Sequence, residues 1–335
     1  MRLRHVVTTY DYHHGQSTRI LAAGIPPVLG KSMQQKQDNF ARAHDNIRAS
    51  LMLEPRGHKN MLGAVITPAV RPDAHLGVLF LHGNGYFDMC GDSAFSTAAA
   101  AVELGLVPKE EGVVEVLMDT VAGPLSARVC IEGGVVCSIG IENVRSYFCE
   151  TQSLAVPSLG EITVDLAYGG LIYAFVEVHD LKAPALSQIN RDELTKLGSL
   201  ILTEAKERIR LTDPVTGKER GVDLVTLVEP LEGRLGQRVA NFYAPLTMGR
   251  TPSGTGLSAR MATMHAKGKL KVGEHFIHES VLGLEFTGTI SDVQPAENSK
   301  GTRTVRPMIE TRSYLMGIQQ FIIDDDDPFK YGFSL

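Results

Sequence analysis

The stretch "YFDMCGDSAFSTAAAAVELG", residues 86–105, decides how the chain is read. Cys90 is followed by glycine, then by Asp92 and Ser93, and then by a run from Ala94 to Val102 that is small and apolar nearly all round. A surface helix keeps a polar face, whereas a helix without one is enclosed by protein. The stretch therefore predicts a buried helix that stops at Gly105, with a thiol at its entrance. Cys90 is then either a thiol placed to do chemistry or a small buried residue filling a turn.

A second copy weighs in favour of chemistry. In "PSGTGLSARMATMHAKG", residues 252–268, laying Ser253 on Cys90 puts Gly254 on Gly91 and Gly268 on Gly105. Each copy is a turn, a glycine-led helix start and a glycine stop. A helix start offers unpaired N–H groups and the positive end of a dipole, which attract a carboxylate and favour a thiolate over a thiol. Two such starts facing each other across a cleft between domains would hold a small carboxylic acid and set residues 90 and 253 on opposite faces of its α-carbon. That is the geometry for moving a proton beside a carboxylate. Gly254, Thr255 and Gly256, with Gly91, Asp92 and Ser93 at the first start, are the candidates for binding it. His82 and Asn84 in "LHGNGY" lie just before Cys90 and are read either as pocket residues or as a strand-end turn. The competing motifs fail, because "GTGLSA" lacks the strand context of a dinucleotide fingerprint and "TPSGT" lacks the first glycine of a G-x-S-x-G elbow.

Working outward, two amphipathic helices are expected: one after Ser32, with Met33, Phe40, Ile47 and Leu51 on one face, and one near Asn190, with Leu194, Leu197, Ile201 and Ala205. Both have a solvated face and should pack outside a sheet. The remainder is strand-like alternation punctuated by glycine and proline, which suits an α+β protein of mainly antiparallel sheets rather than regular βαβ units. A length of 335 residues suits two domains, and "VRSYFCETQSLAVPSLGE" near the middle is the expected crossing point.

A net charge of −5 without a block of Lys and Arg gives no footprint for nucleic acid or an anionic membrane, so a small molecule is the expected partner. The first fifteen residues lack the apolar core of a signal peptide, and a cytoplasmic setting is expected, with the four cysteines as thiols. For a metal, His275 and His278 in "EHFIHES" come nearest, and the alternation there is that of an ordinary strand.

At these residues the chain resembles the proline racemase family, which also contains 4-hydroxyproline epimerases and trans-3-hydroxy-L-proline dehydratases. The blocks "ILAAGIPPVLGKSM", "LMLEPRGHKNMLGAVITP", "GVLFLHGNGYFDMCG", "VDLAYGGLIYAFV", "PSGTGLSARMA" and "FIIDDDDPFKYGF" look like family blocks in family order. The resemblance implies two similar domains, each a β-barrel-like sheet around a central helix (diaminopimelate epimerase-like), with the active site in the cleft between them. Residues 1–150 plus about 310–335 would form the first domain and 151–310 the second. It implies no cofactor, no metal, and a proline-like imino acid as partner, and it is compatible with a homodimer.

Two cysteines work as an acid–base pair in racemases and epimerases of this family. Here Cys90 matches the first position and Ser253 stands at the second. A thiol titrates near ~8.5 and is pulled towards neutrality at a helix start, which an alkanol is not. Dehydratases carry Cys and Thr at the two positions, so the hydroxyl of Ser253 favours dehydration of trans-3-hydroxy-L-proline to a cyclic imine. A racemase or 4-hydroxyproline 2-epimerase is the alternative, and an inactive imino-acid-binding homologue the second alternative. Other departures from the family pattern are Asp92 for the histidine of "MCGHG", Gly249 for the aspartate of "DRSPCGTGT", and His13-His14-Gly15-Gln16-Ser17 for "HTGGE". Asp92 then either meets the substrate amine or caps the helix. Arg56 and His58 in "EPRGH" are read as holding a loop, while Asp165 and Tyr168 fall where the second sheet approaches the cleft.

Overall fold

The computed structural model describes residues 4–58, 60–181, 183–244, 246–296 and 301–334. The chain divides into two compact units, Met1–Ile141 with Thr311–Leu335, and Glu142–Glu310. The described residues contain the α-helices α1 (Met33–Met52), α2 (Gly91–Glu103), α3 (Arg191–Arg208) and α4 (Gly254–Ala266). Among them, no helix is long and apolar enough to cross a membrane.

In the first unit, Arg4–His13 pairs antiparallel with the late strand Tyr314–Asp324 on one side and with Ser17–Ala23 on the other. The sheet continues parallel to Leu62–Thr67, antiparallel to Leu76–His82, parallel to Gly112–Thr120, and antiparallel through Gly123–Glu132 to Val135–Glu142. In the second unit, Tyr147–Val156, Gly160–Tyr168 and Ile172–Glu177 are antiparallel neighbours. Leu224–Pro230 follows parallel, Gly236–Ala244 antiparallel and His275–Ser280 parallel, before antiparallel pairing through Glu285–Pro295 to Arg303–Thr311.

The succession of senses is the same in both. Parallel neighbours cannot be joined by a tight turn, and each unit carries its helices at its two parallel joints: α1 and α3 at the first, α2 and α4 at the second. The repeat that shows in the sequence as one pair of helices is therefore a repeat of the whole unit. Tyr314–Asp324 holds in the first unit the place that Tyr147–Val156 holds in the second.

Strand alternation assigns one helix to each face of the sheet. In Ile172–Glu177, Ile172, Ala174 and Val176 pack with Leu194, Ile201 and Ala205 of α3, while Tyr173 and Phe175 pack with Ala259 of α4. In the first unit Met33, Phe40, Ile47 and Leu51 of α1 pack with Val65, Leu79 and Leu81, and α2 is buried from Ser93 to Val102. Ser32 caps α1 as its residue type predicts, accepting from the Gln35 N–H at 3.2 Å.

Unlike α2, α4 carries a buried cation, Arg260, 2 % exposed. A buried guanidinium persists only when paired, and Arg260 bonds Gln237 at 2.7 Å, Asp165 at 3.4 Å and Glu177. Lys267 adds two contacts to Asp165 at 2.6 Å. Asp165 thus serves the C-terminal half of α4 rather than its start. At the end of the acidic run 324–327, Asp327 accepts from Arg56 at 2.6 Å, which ties the chain end to the "EPRGH" loop.

Candidate active site

Cys90 is the N-cap of α2 in ordinary extended backbone (φ −141°, ψ 108°), and its side chain makes no capping hydrogen bond. Burial pushes the thiol up, as does the neighbouring Asp92 carboxylate; the Ser93 hydroxyl and the N–H groups of Ser93 and Asp92 pull it down, and the balance leaves it at about 11. The expectation that the helix start favours a thiolate is corrected here. Its N–H groups act in that direction and are outweighed.

Asp92 lies in the first turn of α2, where its Oδ1 is 3.1 Å from Nε2 of the buried His14. Two residues at which the chain departs from the family pattern, Asp92 and His14, thus meet in one contact. Gly91 has open space where a Cβ would stand. His82 and Asn84 form the turn between Leu76–His82 and Gly85–Phe87. The His82 ring stacks on Phe87 at 4.1 Å and its Nδ1 accepts from the Asn84 N–H at 3.3 Å, while Arg48 donates to the carbonyls of His82 and Gly83 at 3.1 and 2.6 Å. Burial holds His82 below the usual imidazole range, favouring its neutral form.

The α4 start has the same length of helix and a different entrance. Both helices have 13 residues and stop at glycines in the left-handed region, Gly105 (φ 71°) and Gly268 (φ 70°). Ser253, however, has φ 66° and ψ 114°, a region L-residues rarely adopt. Its Oγ accepts from the Gly256 N–H at 3.1 Å and lies 2.9 Å from Tyr173 Oη and 3.2 Å from Thr255 Oγ1. Tyr173 Oη and Thr255 Oγ1 are 2.7 Å apart, so three hydroxyls close on one another. A Cβ at Gly256 would stand 3.2 Å from Ser253 Oγ and from Tyr173 Cε1, which explains the glycine.

The proposed carboxylate cradle is narrowed by this geometry. The Gly256 N–H is engaged by Ser253, and helix geometry leaves those of Gly254 and Thr255 without intrahelical partners. Gly169 permits a close approach as its residue type suggests, but towards the helix: a Cβ there would come within 2.2 Å of the Thr255 carbonyl oxygen. Tyr168 stacks on Tyr147 at 4.9 Å and, with Arg145 and Arg220, lines a separate cavity of about 410 Å³ in the second unit. His275 and His278 lie three apart on a strand and so on opposite faces; His275 is exposed, while His278 is fully buried and pushed down to about 3 by burial.

Each unit thus presents a 13-residue helix whose entrance carries a proton-bearing side chain. A family model described as proline racemase matches residues 10–334. This chain belongs to the proline racemase family. It is 34% identical over 338 residues to a proline racemase of Clostridioides difficile, covering 100% of both chains, and 34% identical over 337 residues to a 4-hydroxyproline 2-epimerase of Streptosporangium roseum, again covering 100% of both. A hydroxyproline epimerase structure from Agrobacterium vitis, with bound trans-4-hydroxy-L-proline, superposes with a TM-score of 0.82 at 28% identity, covering 100% of this chain and 96% of that one. The chain is accordingly an enzyme of the proline racemase family with the family's α+β fold of two similar units.

Two residues of these helix starts escape sequence reasoning. His14 sits in a family block that has diverged, and nothing in its spacing points to Asp92. Tyr173 was legible in part, because alternation puts it on the same face as Phe175, but only the packed unit shows which helix that face meets.

Proposed function

We propose that this chain is an isomerase acting at the α-carbon of a proline-like imino acid, a racemase or 2-epimerase of the kind its full-length relatives are named for. The observation that carries this reading is the preserved pair of helix starts, with Cys90 at one and Ser253 at the other. Cys90 exchanges the α-proton on one face, and the start at Ser253 serves the other. Negative charge developing at the α-carbon spreads into the carboxylate, where the N–H groups of Gly91, Gly254 and Thr255 favour it. The substrate's cationic nitrogen lowers the Cys90 thiol from its raised position, because a nearby positive charge favours the thiolate.

A second reading is dehydration of trans-3-hydroxy-L-proline, which the hydroxyl at position 253 favours. Cys90 removes the α-proton, the β-hydroxyl leaves as water with a proton passed through Ser253, and the enamine rearranges to a cyclic imine. The two readings separate in deuterated water, using proline and the 3- and 4-hydroxyproline isomers followed by NMR and chiral chromatography. Deuterium at the α-carbon with inversion is the expected result. A cyclic imine from trans-3-hydroxy-L-proline would replace it with the dehydratase, and binding without exchange or product would overturn both.

A further inference from the structure

We infer that Tyr173 is the proton reservoir of the second helix start: Ser253 relays a proton between the substrate's α-carbon and the Tyr173 phenol. This rests on the isomerase reading above. A serine alone is a poor partner for a thiol, because an alkoxide is far too basic to be left behind at neutral pH. A phenol, with an ordinary pKa of ~10, lies much closer to a thiol at ~8.5. The structure puts that phenol 2.9 Å from Ser253 Oγ.

The arrangement is built to hold that contact. Tyr173 is 1 % exposed, fixed in register opposite Ala167 and Leu224, and stacked on Phe175 at 5.7 Å. Gly256 leaves room for both the ring and the serine oxygen. Ser253 adopts its left-handed backbone with Oγ at hydrogen-bonding distance from the phenol. Thr255 Oγ1 lies 2.7 Å from the phenol and the phenol 2.9 Å from Ser253 Oγ, so the relay we infer runs with Thr255 donating to Tyr173 and Tyr173 to Ser253. In that arrangement Ser253 Oγ accepts from Tyr173 and from the Gly256 N–H, and its own proton is free to be given to the substrate.

The step balances without another reactant. As the new Cα–H bond forms, the Ser253 Oγ–H bond breaks; the Tyr173 proton moves to Oγ, and the charge rests on the phenolate, which accepts from Thr255. In the opposite direction the phenolate draws the proton back through Ser253, while Cys90 supplies the proton on the other face. Tyr173 acts through Ser253 and does not itself touch the substrate.

Tyr173→Phe keeps the ring and removes the relay. The expected result is a loss of inversion by ~100-fold or more in kcat, little change in KM, and continued α-deuterium uptake without inversion on the Cys90 face. Adding Ser253→Cys to that variant should restore inversion, because the thiol carries its own proton. Site-specific 3-fluorotyrosine at position 173, a more acidic phenol of nearly the same shape, should move the alkaline limb of the inversion profile to lower pH, which a merely structural tyrosine would not do. Inversion by Tyr173→Phe at the unaltered rate, or a limb that stays in place with fluorotyrosine, overturns the relay alone. Absence of α-proton exchange in the unaltered protein overturns the isomerase reading and the relay with it.

Discussion

The starts of α2 and α4 are the same device set in two states. Cys90 has ordinary extended backbone. Ser253 has left-handed backbone and a side chain bound up with Gly256, Tyr173 and Thr255. A thiol is acidic enough to exchange protons unaided once its surroundings are adjusted, so its entrance needs no relay. A hydroxyl at the equivalent place needs neighbours that share its proton, and the second entrance supplies them. The duplication preserves position, and what surrounds each position follows from the atom that occupies it.

The largest effects should come from removing each proton carrier. Cys90→Ala is expected to lower α-proton exchange by ~100-fold or more, whereas Ser253→Ala should abolish inversion while leaving exchange on the Cys90 face. Exchange measured face by face with each substrate enantiomer checks this, and equal losses from the two variants would mean that the two starts are equivalent after all.

A smaller effect concerns the backbone. A non-glycine residue in the Ser253 conformation costs about 1–3 kcal/mol, and replacing a serine cap with glycine costs only a few tenths. Ser253→Gly should therefore raise stability by about 1 kcal/mol or more as inversion is lost, while Ser253→Ala, which keeps the strain and loses the cap, should lower it by ~1 kcal/mol. Urea denaturation decides it; a destabilised glycine variant would show that this backbone costs nothing.

The smallest is an adjustment of pH on the other side. Asp92 raises the Cys90 thiol, so Asp92→Asn should lower it from about 11. The thiolate forms as pH rises through that value, and alkylation of Cys90, followed by peptide mass spectrometry to separate it from Cys130, Cys137 and Cys149, should become faster at lower pH in the variant. An unchanged profile would leave burial as the main influence on the thiol.

Much of the fold was legible because its strongest signals are local. Small residues between Gly91 and Gly105 mark one enclosed helix and the matching glycine start and stop at Gly254 and Gly268 mark its counterpart; the spacing of Met33, Phe40, Ile47 and Leu51 marks the buried face of α1. What was not legible depends on partners distant in sequence. The correspondence of α1 with α3 lies in sheet topology and leaves no shared motif. Arg260 in a buried helix is intelligible only once Asp165, Gln237 and Glu177 surround it. At the candidate site, residue types named Cys90 and Ser253, but the three-hydroxyl cluster joins residues 80 and 82 positions apart, and a backbone dihedral angle has no letter in the sequence.

The place of Tyr314–Asp324 has a consequence for the order in which the molecule can be made. The unit carrying Ser253 is one continuous segment, 142–310, and has all its strands as soon as that segment has been made. The unit carrying Cys90 begins first yet lacks one of the two neighbours of Arg4–His13 until residues 314–324 are synthesised. Until then that strand is an open edge, a template for any passing chain. The first half of the protein to appear is the last that can close.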